Sequence, residues 1–95
     1  MKVVAIAHRA EGRKPEEFSP HLAAEANHAL KLFAEEKIRE IYSRADGKGA
    51  VLVLEAEDEA EAKRILDGLP MVKLGLIRFD IYGTRPYRGI VQNVK

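Results

Sequence analysis

Two segments of this chain are apolar on both of the faces that a β-strand presents. Lys2–His8 (KVVAIAH) and Ala50–Ala56 (AVLVLEA) carry Val, Ile, Leu or Ala at both sets of alternating positions. Strands of this kind need cover on both sides of their sheet. A chain of 95 residues buries only about 60–65% of its unfolded surface. We therefore expect a second subunit to supply part of that cover.

Helix signals follow the first predicted strand. Ser19 and Pro20 predict a helix start, since Ser is a favoured N-cap and Pro is tolerated at the first helical position. We expect this helix to run to about Lys37, after a polar loop over residues 9–18. Its apolar residues form a stripe at helical spacing that should face the core, namely Leu22, Ala26, Ala29, Leu30 and Phe33.

A hairpin leads into a second predicted helix. Ile38–Ala45 is rich in β-branched and aromatic residues, and Asp46 with Gly47 gives a strong turn signal before the returning strand. Asp58 and Glu61 have the spacing of a capping box, which marks a helix start. The core-facing stripe of this helix comprises Ala62, Ile65, Leu66 and Leu69.

The last strand is predicted over Met71–Gly83, and residues 84–95 form a tail. The order of elements is then β-α-β-β-α-β, which is the ferredoxin-like pattern of an α+β fold. It predicts a four-stranded antiparallel sheet with both helices on one face, and one domain over residues 1–95.

Alternation along the last strand separates the two faces of the sheet. Ile77, Phe79 and Ile81 should meet the helices, whereas Arg78 and Asp80 should lie on the helix-free face. Because the central strands are apolar on that face too, we expect a homodimer, or a multiple of dimers, that pairs two sheets into a dimeric α/β barrel. Arg78 and Asp80 would lie in or at the rim of that interface, where paired charges can fix register.

Composition excludes several classes of function. The 16 basic and 15 acidic residues nearly balance, which argues against nucleic acid or anionic membrane as a partner. No apolar run reaches the length of a signal peptide or a membrane span, so we expect a cytoplasmic protein. The sequence has no cysteine, no Gly-rich phosphate loop, no nucleophile elbow and no Cys/His metal spacing, so no cofactor is predicted.

Three polar residues are candidates for a site near the strand ends. His8 ends the first strand and is the best-placed general base, because imidazole titrates near neutral pH. Tyr42 and Arg44 share one face of the second strand, where a guanidinium and a hydroxyl could hold a carboxylate. The alternatives are a surface histidine at a strand end and ordinary sheet packing with a charge at the rim.

His21, Glu25 and His28 form a second candidate group, since their spacing puts them on one stripe of the first helix. They could hold a divalent metal ion. The alternative is a solvated or interfacial helix face, away from the predicted core stripe. Glu25 alone is the more plausible functional group, as a second candidate for proton transfer.

The tail carries a Pro and a Gly that rule out a continued regular strand, followed by the β-prone segment Ile90–Val94. We expect Tyr87 and Ile90 to reach a partner subunit and to cap the barrel or the mouth of a pocket.

The segments Leu69–Tyr87 (LPMVKLGLIRFDIYGTRPY), Gly49–Pro70 (GAVLVLEAEDEAEAKRILDGLP) and Glu40–Ala56 (EIYSRADGKGAVLVLEA) resemble the muconolactone isomerase-like family of the dimeric α/β barrel superfamily. The resemblance spans roughly Phe18–Gly89. It implies a dimer that assembles further into a decamer, and an enzyme that moves a double bond in a small lactone without a cofactor. Relatives often have Gly where the first helix meets the second strand, a position that corresponds here to Lys37.

The resulting functional prediction is an isomerase-like enzyme acting on a small carboxylate or lactone. His8 or Glu25 would move the proton, Tyr42 and Arg44 would hold the anion, and the pocket would lie between the first helix and the sheet. The alternative is a small-molecule-binding or assembly protein without chemistry. Enclosure discriminates between them, because catalysis of this kind needs a pocket that excludes water.

Overall fold

The computed structural model describes the backbone of residues 1–93 and the side chains of residues 1–90. Its strands are β1 (Lys2–Arg9), β2 (Ile38–Ser43), β3 (Ala50–Glu55) and β4 (Ile77–Gly83), in one antiparallel sheet of order β2-β3-β1-β4. Its helices are α1 (Pro15–Phe18), α2 (Leu22–Ala34), α3 (Glu59–Asp67), α4 (Pro70–Lys73) and α5 (Arg88–Asn93). This architecture confirms the predicted ferredoxin-like α+β fold.

The core lies between the sheet and its helices. β1 is central, and its inward residues Val3 and Ala5 are fully buried between partners on β3 and β4. Leu54 and Leu66 meet them from β3 and α3. Phe79 and Ile81 pack against the same cluster, so the predicted inward face of the last strand is confirmed.

The start of α3 follows the predicted capping box. The Asp58 carboxylate accepts a hydrogen bond from the backbone N–H of Glu61 at 2.8 Å, and the Glu61 carboxylate accepts one from the N–H of Glu57 at 3.1 Å. The first bond satisfies a donor that a helix N-terminus otherwise leaves unpaired, and the second fixes the chain just before the N-cap. The predicted stripe of α3 is buried, with Ala62 and Leu66 almost inaccessible to solvent.

The first helical region differs from its prediction at both ends. The predicted polar loop contains α1, whose N-terminus is closed by the Glu17 carboxylate on the N–H of Lys14, and a 3-10 turn over Ser19–His21 precedes α2. α2 ends at Ala34, because the chain turns left-handed at Glu36 with φ 64°. The left-handed residue is therefore one position before Lys37, the position at which relatives often have Gly.

α2 presents a different face to the core from the predicted one. Leu22, Leu30 and Phe33 are 53%, 66% and 49% exposed, whereas Leu32 is buried and Ala29 packs beside it. The inward face also includes Glu25 and His28, which are both half-buried. A polar residue on this face is stable because another segment of the same chain offers it a hydrogen-bond partner. The periodicity of apolar residues does not reveal such a partner.

The chain after α3 also differs in part from its prediction. Met71, the predicted start of the strand, lies in α4, and Gly75 turns left-handed with φ 71° before β4 begins at Ile77. The predicted strand thus starts six residues too early. The β-prone tail forms the short helix α5 instead, and Val94 lies outside the described residues.

Candidate functional site

The helix-free face of the sheet carries the candidate site at one end. Its centre is apolar, because Val4 pairs with Val53 and Ile6 pairs with Val51, and all four side chains are only partly buried. His8 follows on the same face of β1, two residues beyond Ile6, with its side chain 29% exposed. The alternation of β1 therefore brings an imidazole to the edge of an apolar surface.

His8 is held from both ring nitrogens. Its Nε2 lies 2.8 Å from Oδ2 of Asp80, and its Nδ1 lies 3.0 Å from Nη1 of Arg44. A guanidinium only donates, and an ionised carboxylate only accepts. Nδ1 must therefore accept from Arg44 while Nε2–H donates to Asp80, which defines a neutral imidazole with its proton on Nε2.

Asp80 lies next to His8 because β1 and β4 are paired. His8 is opposite Arg78 and Ile6 is opposite Asp80, so the Asp80 carboxylate is the diagonal neighbour of the imidazole. Arg78 donates from Nη1 to Oδ1 of Asp80 at 2.8 Å. Partial desolvation raises the pKa of Asp80, but the hydrogen bonds from Arg78 and His8 lower it by more, so its pKa is below the ordinary value. The carboxylate stays ionised at neutral pH.

Arg44 is positioned by the loop between β2 and β3. Its backbone N–H donates to the carbonyl of Gly49 at 2.9 Å and its carbonyl accepts from Gly47 at 3.0 Å. Its Nη1 also donates to the carbonyl of Ala7 at 3.2 Å, and its Nη2 donates to Asp46 at 2.6 Å. The pKa of Asp46 is lowered by a hydrogen bond from the backbone of Lys48 and then by Arg44, so Asp46 is also an anion at neutral pH.

A cavity of about 440 Å³ opens at this end of the sheet. Its lining has more basic than acidic side chains, and it comprises His8, Arg9, Ala10, Glu11, Arg44, Lys48 and Arg78. Arg9 is held by a cation–π contact, with its guanidinium carbon 4.9 Å from the centre of the Phe18 ring. An imidazole with fixed protonation beside several cations can bind a small anion and transfer a proton.

The structure brings together some of the predicted site residues and separates others. His8, Arg44, Arg78 and Asp80 form one network, whereas Tyr42 donates its hydroxyl proton to Glu40 at 2.8 Å. The substrate pocket predicted between the first helix and the sheet is wrong, since Leu32 and Ala29 pack against the core there. The cavity that contains His8 lies elsewhere, at the end of β1.

Glu25 lies apart from this network, on the helix-covered side of the sheet. Its Oε1 accepts a hydrogen bond from the backbone N–H of Met71 at 3.0 Å, in the first turn of α4. Burial raises the pKa of the Glu25 carboxyl, and the Met71 hydrogen bond and nearby His28 offset only part of that effect. The contact explains why an acidic side chain occupies the inward face of α2.

The variant Glu25→Gln is expected to be more stable than the wild type at about pH 7 and to lose that advantage at about pH 4. A folded-state pKa above the unfolded one means that the favourable contribution of Glu25 is complete below the unfolded pKa and is lost as pH rises through the folded pKa. Glutamine keeps the acceptor for Met71 and carries no charge. Urea unfolding at both pH values measures the difference. Glu25→Ala should instead cost about 1–2 kcal/mol at both, because the Met71 N–H loses its partner.

The second candidate group does not form a metal site in the structure. Among residues 1–93, no three His, Asp or Glu side chains come together in a way that could hold a metal ion. The predicted contact of Tyr87 and Ile90 with a partner stays a prediction, and both side chains are largely exposed, at 74% and 62%. Within the described part of the chain, no helix is long and apolar enough to cross a membrane.

Comparisons with known proteins bear on the fold. No protein-family model matches the sequence, and no curated protein matches it. Among solved structures, the chain is similar to 5-chloro-2-hydroxyhydroquinone dehydrochlorinase from Burkholderia phenoliruptrix, which was solved in complex with 2,5-dihydroxybenzoquinone. The TM-score is 0.73 at 19% sequence identity, and the match covers 94% of this chain and 98% of that chain.

The likeness shows that the two chains share one fold, the ferredoxin-like α+β fold described above. The match extends over nearly the whole of both chains. At 19% identity it shows the fold and does not single out the muconolactone isomerase-like family.

Proposed function

We propose that this protein is an enzyme that moves a proton within a small anionic molecule, in the manner of a muconolactone isomerase-like enzyme. One observation carries the proposal: His8 is bonded to Asp80 through Nε2 and faces a basic cavity through Nδ1. General bases of this kind are imidazoles with a fixed tautomer, held by a carboxylate on the nitrogen that does not react.

The proton transfer would use Nδ1 of His8. A C–H bond of the substrate breaks, its proton moves to Nδ1, and its electron pair spreads into the conjugated system as an enolate. Arg9, Lys48 and Arg78 surround the cavity with positive charge that favours this anion. Asp80 stabilises the imidazolium of His8. The imidazolium then returns the proton from Nδ1 to another carbon of the substrate, which shifts the double bond.

The solved structure with the same fold supports a small cyclic substrate. That protein is named as a dehydrochlorinase and was solved with 2,5-dihydroxybenzoquinone. Loss of hydrogen and chloride can begin with the same removal of a proton by a base. We therefore include 2,5-dihydroxybenzoquinone with muconolactone among the first compounds to test, and expect the enzyme to act in the cytoplasm.

The variant His8→Gln is expected to reduce turnover of the active compound by roughly 10²- to 10⁴-fold, the usual contribution of a general base. Ligand binding, measured by thermal shift, should change far less, because the cations remain. The matched control is His21→Gln, at the N-terminal end of α2 and remote from the cavity. Equal turnover by His8→Gln and the control would exclude His8 as the base. If none of the tested compounds is turned over, a binding or assembly protein without chemistry is favoured.

We also propose that the enzyme is a homodimer whose two helix-free sheet faces pack together. Val4, Ile6, Val51 and Val53 form a continuous apolar surface at the centre of this face. Tyr42 and Tyr82 extend that surface and are 58% and 54% exposed in the single chain. An apolar patch of this composition on a small protein is typical of an interface.

The variant Val53→Glu is expected to convert the dimer to a monomer in sedimentation equilibrium. An unpaired charge in a buried interface costs about 3–5 kcal/mol, which weakens association by roughly 10²- to 10³-fold or more. The monomer should remain folded, since the side chain of Val53 points away from the core of its own chain. The control is Ala60→Glu, on the exposed surface of α3. A Val53→Glu protein that keeps the wild-type mass would contradict this interface.

A further inference from the structure

We infer that Arg44 blocks the base of this site until an anionic group of the substrate displaces it, so that the site selects acids over neutral molecules. The inference rests on the proposed function and adds to it a class of substrate and a means of control. It follows from one contact, the 3.0 Å hydrogen bond between Nη1 of Arg44 and Nδ1 of His8.

The contact occupies the nitrogen that would have to act. Nε2 of His8 donates to Asp80, so Nδ1 holds the lone pair of the ring. A lone pair that accepts a hydrogen bond from Arg44 is not available for a substrate proton. After proton transfer, Nδ1–H would also point at a guanidinium that cannot lose its own protons. Arg44 must therefore leave before the base works.

An anion can replace Nδ1 of His8 as the hydrogen-bond acceptor of Arg44. The guanidinium now donates to neutral acceptors, Nδ1 of His8 and the carbonyl of Ala7, and to the exposed carboxylate of Asp46. Asp46 can release it without being left unpaired, because the backbone N–H of Lys48 also donates to its carboxylate at 2.9 Å. A substrate carboxylate offers Arg44 a bidentate, charge-assisted pair in return.

The geometry limits the position of the acidic proton in the substrate. The backbone of Arg44 stays anchored to Gly47 and Gly49 when its guanidinium leaves Nδ1, so the group that binds Arg44 and the carbon that loses its proton must be close in the molecule. We assign the site to carboxylates or enolates whose acidic C–H lies on the first or second carbon from the anionic group. A neutral ester of the same acid leaves Nδ1 blocked.

Arg78 provides a matched comparison within the same cavity. It is also an arginine that lines the cavity, but it donates to Asp80 and makes no hydrogen bond to His8 that the structure describes. Replacing Arg78 should weaken the binding of an anion without freeing Nδ1. Replacing Arg44 should free Nδ1 directly.

The test is nitrogen NMR of histidine in the full-length protein labelled with ¹⁵N, with benzoate as the probe anion and His8→Gln used to assign the signals. In the wild type, Nδ1 of His8 should have the shift of an unprotonated nitrogen that accepts a hydrogen bond. Saturating benzoate should move it to the value of a free acceptor. Arg44→Met should show that value without benzoate and no further change, Arg44→Lys should be intermediate, and Arg78→Met should match the wild type.

A wild-type Nδ1 signal that benzoate does not move overturns the inference, and so does an Arg44→Met signal equal to that of the wild type. Neither measurement requires turnover. If the NMR result is as expected but no compound is converted in a His8-dependent way, the proposed function fails while the displacement of Arg44 stands. If His8-dependent turnover is found with an unmoved Nδ1, only the blocking role of Arg44 is wrong.

Discussion

Replacing Asp80 with Asn is expected to lower kcat by roughly 10²- to 10⁴-fold while leaving the fold intact. The carboxylate accepts the Nε2 proton of His8 at 2.8 Å, which leaves the lone pair of the ring on Nδ1. The amide of Asn can instead donate its N–H to Nε2. Once a substrate anion has displaced Arg44 from Nδ1, the ring proton moves to Nδ1, so the reactive nitrogen already carries a proton when it meets the substrate C–H.

The kinetic signature distinguishes this effect from a loss of stability. Steady-state kinetics should show a fall in kcat with a small change in KM, since Arg9 and Lys48 still attract the anion. The matched control is Asp67→Asn, which removes an exposed carboxylate that pairs with Lys63 at 2.7 Å on α3. Urea unfolding should place both variants close to the wild type. A kcat for Asp80→Asn within threefold of the control would mean that the tautomer of His8 does not matter.

The members of the His8 network could be predicted from sequence, but their contacts could not. Alternation alone puts His8 at the end of β1 and puts Arg78 with Asp80 on the helix-free face. The hydrogen bond between His8 and Asp80 depends on β1 lying beside β4 in a register that makes Ile6 the partner of Asp80. The ferredoxin-like order supplies the neighbouring strands, and the register has no local signal in the sequence.

The first helix shows where reasoning from periodicity reaches its limit. A stripe of Leu and Phe predicts the core face, yet Leu30 and Phe33 are largely exposed. The inward face contains Glu25. Its carboxylate accepts a hydrogen bond from the backbone N–H of Met71, a residue 46 positions away in the chain. Pairing of polar groups at such separation depends on the tertiary fold, and it outweighs a local apolar pattern.

The variant Gly49→Ala is expected to destabilise the protein by at least about 3 kcal/mol and to disrupt the site together with the fold. Gly49 has φ 152°, a conformation that residues with a side chain rarely adopt. A Cβ atom there would overlap the carbonyl oxygen of Ala7 and lie 2.8 Å from its carbonyl carbon. Both obstacles are backbone atoms of β1, so no side chain can move aside.

The same clash acts on Arg44, which binds both of the groups that would be pushed apart. Its N–H donates to Gly49 and its Nη1 donates to Ala7, so separating the loop from β1 withdraws Arg44 from His8. The control is Gly47→Ala in the same loop, where φ is 72° and no atom lies within 4 Å of the new Cβ. Gly47→Ala should cost only about 1–2 kcal/mol, the strain of a left-handed residue. Urea unfolding of the two variants tests the difference, and equal losses would show that the close approach of β1 to Gly49 does not limit stability.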